Sequence, residues 1–372
     1  MTRAVSHPCW GNSPWSINFQ PSPVSFPDET DFAIVGGGFS GLSAAAWLRQ
    51  FAPEKTVVLF ESASIGAGSS GHTGGIALAE TAAGDLPGLG DVLAGYASIL
   101  KELHIDCDLA LPGVYEIGRS GGLPDSPISW SDSGMVHAVK QVPGGMIDPG
   151  KIVSGLARAA EKSGAQIFEN THVEEIEFTD PVQLRFQGGQ LRARKVLLAT
   201  NGMSLELSDL VGRGQPKFTL AVATEPLSGG QLEGLGLASE KPFYTIDFPY
   251  LWGRILRTGG VVFGGGLVHL NDWRELASLD IEAGQSAELI ARLKSRVQAL
   301  HPALQNVRFT NQWGGPILTA NQWRPVFAQH PRSSHTIVLG AFSGHGVAQS
   351  VYLGRWAAEV MCGRRSLPDW NL

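Results

Sequence analysis

Cysteine is scarce in this chain. Cys9, Cys107 and Cys362 stand far apart and no Cys-x-x-Cys pair occurs, so neither a disulfide framework nor a structural zinc site is indicated and no metal is expected. Such isolated thiols fit reduced cysteines and a cytoplasmic setting. Basic runs are missing too. Lys and Arg never exceed a pair and the net charge is −6, which leaves a nucleic-acid partner without an electrostatic footprint. The longest apolar stretches are short and broken by glycine, so no membrane span is expected. The first 30 residues carry prolines and polar residues with no apolar core segment, so no secretory signal is expected either. Repeats and low-complexity tracts are absent. With 43% hydrophobic and 17% charged residues in a chain of 372, disorder is excluded and there is material for two domains.

Glycine is what the chain has in quantity, 47 residues, many of them clustered. The informative cluster follows the apolar run Phe32-Ala33-Ile34-Val35, the kind of strand buried in a parallel sheet. It reads Gly36-Gly37-Gly38-Phe39-Ser40-Gly41 and leads into a helical stretch over 42–50, a second buried strand over 56–60, and then Glu61. This is a β–α–β unit with a Gly-x-Gly-x-x-Gly turn. Glycines at that spacing let a diphosphate sit on the helix N-terminus, where free N–H groups and the helix dipole favour an anion. An acid about twenty residues further on is placed for a ribose hydroxyl. The turn by itself does not distinguish FAD from NAD.

Beyond the unit, patterning predicts helices over 92–103, 149–162 (opened by Pro149), 287–300 and 350–362. It predicts strands around 113–117, over 166–169, 173–178, 182–186, 195–199 and 336–339, and within 218–267, with a hairpin signal at Thr258-Gly259-Gly260. Residues 1–29 read as an irregular lead-in pinned to the body by Trp10 and Trp15.

Four ordered stretches together resemble the D-amino-acid-oxidase superfamily of flavoproteins, within it the glycine/sarcosine oxidase and gamma-glutamylputrescine oxidase branch. They are Val35–Gly41, Glu61-Ser62-Ala63-Ser64-Ile65-Gly66 with Gly68-Ser69-Ser70-Gly71-His72-Thr73-Gly74-Gly75, then Val196–Gly202, and finally Gly340-Ala341-Phe342-Ser343-Gly344-His345-Gly346-Val347-Ala348. The resemblance implies an α/β fold in which a Rossmann-like FAD-binding domain (30–82, 148–205 and 311–365) is interleaved with a mixed antiparallel-sheet substrate domain (83–147 and 206–310).

It further implies that FAD is held by Gly36, Gly38, Phe39, Ser40, Gly41, Glu61, Ser62, Ser69, Ser70, Gly71, His72, Thr73, Gly75, Val173, Thr200, Asn201, Gly202, Gly344, His345, Gly346, Val347 and Ala348. His72 stands where some relatives bond the flavin covalently, and both a covalent link and a plain contact are open. His345, Tyr250 and Arg254 are the expected catalytic residues. His345 would stabilise the reduced flavin. Alternation puts Tyr250, Trp252 and Arg254 on one strand face and Arg257 on the other, so Arg254 either clamps a carboxylate or faces solvent. Trp313, Trp323 and Arg324 are candidate cavity walls. The family's usual clamping Arg and its Lys after the His-Gly pair have no counterpart near 316–318 or at Val347-Ala348-Gln349.

The implied reaction is oxidation of a C–N bond in a small amine or N-substituted amino acid. A hydride passes from the carbon alpha to nitrogen to flavin N5, and the imine then hydrolyses. The electron acceptor is expected to be oxygen, giving hydrogen peroxide. The alternatives are a dehydrogenase serving an electron carrier, or a flavin-binding subunit of a larger complex.

Overall fold

The computed structural model describes residues 9–371, so the first eight residues of the lead-in lie outside the described residues. Two eight-stranded sheets organise the chain. The fold is α/β, with parallel pairing concentrated in the first sheet and antiparallel pairing in the second.

Along the first sheet the strands run Val326–His330, Ser333–Gly340, Gly189–Leu198, Glu29–Val35, Val57–Phe60 and Gln166–Phe168. The strand Glu29–Val35 sits in the middle, paired in parallel with Gly189–Leu198 and Val57–Phe60. Both of its faces are covered, one by helices and the other by antiparallel strands, which is why its run is apolar throughout rather than alternating. Ile34 enters a core shared with helices Phe39–Phe51, Pro149–Lys162 and Gly346–Met361. Ala33 and Val35 point into the core of the opposite face, beneath the antiparallel strands Val173–Glu177 and Val182–Phe186. Helix Pro149–Lys162 begins where its chemistry says it should: the Asp148 side chain accepts from the Lys151 N–H at 2.9 Å, with Pro149 at the first helical position.

The second sheet runs Phe309–Ala320, Gly214–Thr224, Val261–His269, Leu251–Ile255, Phe243–Thr245, Val114–Gly118, Met135–Val142 and Ser129–Ser131. Its strand Gly214–Thr224 alternates. Phe218, Leu220 and Val222 join a core with Ile290, Leu293 and Val297 of helix Gly284–Leu300, so Lys217 and Thr219 project from the other face. That face looks toward the first sheet across a cavity.

Three helices open earlier than their patterns suggest, at Phe39, Gly284 and Gly346, because glycine and serine in their first turns lower the apparent propensity. The twelve-residue strand Phe309–Ala320 was not anticipated; Gly314, Gly315 and Pro316 interrupt its sequence pattern. Among the described residues, no helix is long and apolar enough to cross a membrane.

Candidate active site

The cavity between the sheets has a volume of about 880 Å³, toward the large end of ligand pockets, which run roughly 300–1,000 Å³. Its floor is the carboxyl edge of the first sheet. There the turn after Glu29–Val35 is so tight that only glycine fits. Gly36 has φ +114°, and a Cβ on Gly41 would stand 1.9 Å from the Gly36 carbonyl oxygen. Gly41 therefore shapes the turn without lining the cavity, whereas Gly36, Gly38, Phe39 and Ser40 line it. Helix Phe39–Phe51 starts at Gly38 with no side-chain cap, leaving an anion-attracting end facing the space. Ser70 approaches this end and its Oγ accepts from the Phe39 N–H at 2.9 Å.

Glu61 closes the unit. Its carboxylate accepts from the N–H groups of Gly37 (2.8 Å) and Ala63 (3.0 Å) and from the Ser62 hydroxyl (3.2 Å). Desolvation pushes the Glu61 carboxyl up, the backbone bonds of Ala63 and Gly37 pull it back, and the net direction is up.

Asn201 joins three of the stretches on which the resemblance rests. Its Nδ2 donates to Ser69 Oγ (3.2 Å) while its Oδ1 accepts from the Ala341 N–H (2.8 Å). Ser69 Oγ in turn donates to the Pro316 carbonyl at 2.7 Å. The turn that follows has positive φ at Ala341 (57°), Ser343 (53°) and Gly344 (91°), a conformation uncommon for the two non-glycine residues.

Three histidines line the cavity, His72, His172 and His345, of which the first and last stand in the stretches that carry the resemblance. His72 Nδ1 lies 2.9 Å from the Gly68 carbonyl, and the Trp10 ring meets its edge at 5.3 Å. His345 Nδ1 lies 3.5 Å from the Ser343 carbonyl. Desolvation holds both below the ordinary histidine value, against a raising contribution from the neighbouring carbonyl in each case. Both are neutral at pH 7.

Most of the other expected residues also line this space: Ser62, Ser69, Ser70, Gly71, Thr73, Val173, Thr200, Gly344, Gly346, Val347 and Tyr250. Gly75, Gly202, Ala348 and Arg254 do not. Gly75 is a turn residue at φ +74° packed against the Ile147 carbonyl, and Ala348 is buried in the helix core.

Arg254 does share a strand face with Trp252, but the lead-in covers it. The Trp15 ring lies 5.5 Å from its guanidinium, and Arg254 Nε donates to the Gly74 carbonyl at 2.7 Å. It is a buried brace outside the cavity lining. Arg257 pairs with Asp108 at 3.1 Å. Of the three candidate wall residues only Trp323 lines the cavity; Trp313 lies behind it, donating to the His72 carbonyl at 3.0 Å, and Arg324 reaches the Trp370 carbonyl.

Trp10 and Trp15 pin the lead-in to the body as expected, but their place in the cavity wall was not foreseen. Both are buried, and both line the cavity from a segment without periodicity. Trp15 Nε1 donates to the Gly71 carbonyl at 2.8 Å. Tyr244, Phe248, Lys217 and Thr219 also line it. For the last two, strict alternation along Gly214–Thr224 was the available clue.

The site's chemistry matches a dinucleotide. A helix end whose N-cap glycine brings no side chain suits a diphosphate, and Glu61 suits a diol. The side-chain oxygens of Thr200 and Ser350 are buried at the cavity lining with no protein partner, as expected where a ligand supplies the missing bond. A Cβ on Gly38 would stand 2.9 Å from Ser70 Oγ, the atom that accepts from the Phe39 N–H.

Comparison with known proteins bears on which dinucleotide. The family model for FAD-dependent oxidoreductases (DAO) matches residues 31–360. The chain is similar to gamma-glutamylputrescine oxidoreductase of Escherichia coli K12, 26% identical, covering 90% of this chain and 84% of that one. It is also similar to glycine oxidase of Bacillus licheniformis, 23% identical over 91% and 95% of the two chains. Among solved structures, glycine oxidase from Geobacillus kaustophilus superposes with a TM-score of 0.70 at 17% identity, covering 91% and 96%. L-proline dehydrogenase from P. horikoshii gives 0.71, also at 17% identity, covering 92% and 96%. At such identities these structures establish the fold.

Proposed function

The chain belongs to the DAO family of FAD-dependent oxidoreductases, and from that premise we propose that it oxidises the C–N bond of a small amine or amino acid, with oxygen as the electron acceptor. The observation that carries the reading is one continuous cavity joining the dinucleotide cradle to a wall of Tyr244, Tyr250 and Trp252 on the second sheet. The substrate names come from the relatives, which include an oxidoreductase of gamma-glutamylputrescine and oxidases of glycine. We assign residues 30–82, 148–205 and 311–365 to the cofactor and 83–147 and 206–310 to the substrate.

When bound, FAD contributes a two-electron acceptor for the hydrogen on the carbon alpha to the substrate nitrogen. The chain's own part is to orient the amine, keep it neutral and exclude water. His345, whose burial favours the uncharged imidazole, would stand beside the flavin and stabilise its reduced form by hydrogen bonding. Tyr250 remains a hydroxyl donor: desolvation first and Glu116 second push it up to about 12. Tyr244, whose hydroxyl donates to Glu116 at 2.8 Å, is pushed up as well, by desolvation and by that carboxylate. His72, which lines the cavity, would hold the cofactor as a noncovalent contact. The imine product leaves for water and hydrolyses.

The test is peroxide formation. Aerobic turnover of an amine that reduces the holoenzyme should yield one peroxide per amine consumed. Reduction by the amine with no peroxide, and activity only with an added electron carrier, would replace oxidase with dehydrogenase.

A further inference from the structure

We infer that the lead-in belongs to the cofactor site: Trp15, together with Trp10, is a positioning residue that holds the turn Ser69–His72 against FAD from outside the β–α–β unit, an inference that rests on the cofactor assignment above and not on the substrate.

Every residue from Gly68 to Gly74 lines the cavity, yet the helix in this stretch is one turn of four residues without a side-chain cap. A single turn does not stabilise itself, because several dihedrals are fixed for one hydrogen bond. Its end carbonyls have no partners within the helix either. Here the partners come from far away. The Gly71 carbonyl accepts from Trp15 Nε1 at 2.8 Å and from the Ser13 hydroxyl at 3.4 Å. The His72 carbonyl accepts from Trp313 Nε1 at 3.0 Å, and the Gly74 carbonyl from Arg254 Nε at 2.7 Å. These donors belong to the lead-in and to two strands of the second sheet; none comes from the first sheet, which carries the glycine turn. Trp15 joins the set. Its ring meets that of Trp313 edge-on at 5.4 Å and lies 5.5 Å from the Arg254 guanidinium.

Trp10 bears on the His72 side chain itself. Its ring meets the imidazole edge-on at 5.3 Å and Phe218 at 5.6 Å, while its Nε1 donates to the Leu276 carbonyl at 3.1 Å. His72 also rests directly on Gly315, where an added Cβ would stand 2.7 Å from its own. Between the two tryptophans the backbone is fastened to strand Phe309–Ala320: the Asn12 N–H donates to the Gln312 carbonyl at 3.0 Å, and the Gly314 N–H to the Trp10 carbonyl at 2.8 Å. Ile17 then packs on the turn, its Cδ1 3.2 Å from where a Cβ on Gly71 would be. A segment bonded both to the second sheet and to the cofactor turn fixes one against the other, the support a precise site needs. Docking of the lead-in and binding of FAD therefore strengthen each other, as linkage requires.

The experiment uses full-length, FAD-loaded enzyme with one indole N–H removed at a time. Trp15→Phe loses the bond to Gly71. Trp130→Phe is the control: Trp130 is also buried, its Nε1 donates to the Leu235 carbonyl at 3.0 Å, and it lies outside the cavity lining. FAD release on dilution is followed by flavin fluorescence, and the flavin midpoint potential by equilibration with a redox dye. Both variants should lose urea stability. Trp15→Phe should release FAD about fivefold faster or more, the worth of one ordinary hydrogen bond, and should shift the potential; Trp130→Phe should match wild type in both. Trp10→Leu should also speed release, and its effect should vanish in a His72→Gln background, through which it acts. Should Trp15→Phe not fold, Ser13→Ala removes the weaker donor to the same carbonyl, with release about twofold faster expected. Wild-type release and potential in the lead-in variant, or changes equal to those of Trp130→Phe, overturn the inference. Neither reading involves an amine, so failure here leaves the amine-oxidation proposal standing, and failure of that proposal leaves these readings intact.

Discussion

Replacing Glu61 by Gln separates holding a cofactor from bracing a turn. The carboxylate has two oxygens, one accepting from Gly37 N–H and the other from Ala63 N–H and the Ser62 hydroxyl. A glutamine keeps one acceptor and turns an NH₂ toward the other donors. One backbone N–H then loses its partner, at about 1–3 kcal/mol in the stability of the apoprotein. On the assignment of Glu61 to the ribose of the adenosine half, the same substitution would also remove a charged acceptor from FAD. A hydrogen bond to a charged group contributes about 1.5–3 kcal/mol, so FAD affinity should fall roughly 10- to 150-fold, at about 1.4 kcal/mol per factor of ten. FMN lacks that ribose, and its affinity should change far less. Quenching of flavin fluorescence on titrating apoprotein reports both constants, and a urea midpoint reports the stability term. If Glu61→Gln lowers the midpoint while leaving FAD affinity unchanged, Glu61 only braces the glycine turn and the dinucleotide assignment of this end fails.

Other consequences are equally open to measurement. Trp252 is wedged between glycines: a Cβ on Gly264 would come within 2.0 Å of its ring and one on Gly74 within 2.1 Å. With no room to shift on either side, Gly264→Ala should cost about 1–3 kcal/mol or more and lower the thermal midpoint, whereas Gly230→Ala, with open space around it, should not; equal midpoints would contradict this packing. Desolvation sets the folded values of His72 and His345 below the free histidine value. Below about pH 6.5 the unfolded chain therefore binds more protons than the folded one. Their stabilising contribution is complete above that pH and fades as pH falls toward the folded values; a His72→Gln, His345→Gln double variant should show a flatter acid limb in chemical denaturation. Acid precipitation of the holoenzyme should release the flavin to the supernatant, since His72 is assigned a contact only; colour retained in the pellet and lost in His72→Ala would establish a covalent bond instead.

How much of this was legible in advance depended on whether the information was local. Helix Pro149–Lys162 matched its expected limits because Asp148 and Pro149 are start signals and Ser163-Gly164 is a stop. The turn from Gly36 to Gly41 and the hairpin at Thr258-Gly259-Gly260 were equally local. Long-range contacts were not readable. Arg254 has the strand position expected of a clamp, yet Trp15, nearly 240 residues earlier, covers it. The strand Phe309–Ala320 is disguised by Gly314, Gly315 and Pro316, which a β pattern disfavours and which here lie against Leu220, Thr219 and Phe218 of the neighbouring strand. Lys217 was unremarkable until the sheet showed which of its faces is covered by a helix and which is not.

The central claim is that FAD in this cavity oxidises an amine, and anaerobic reduction tests it most directly. Purified holoenzyme would be mixed without oxygen with primary, secondary and gamma-glutamylated amines and N-methyl amino acids while the flavin absorption is recorded. Bleaching by one chemical class, with recovery of colour on admitting air, is the predicted result. Flavin that dithionite bleaches but no amine does would contradict it.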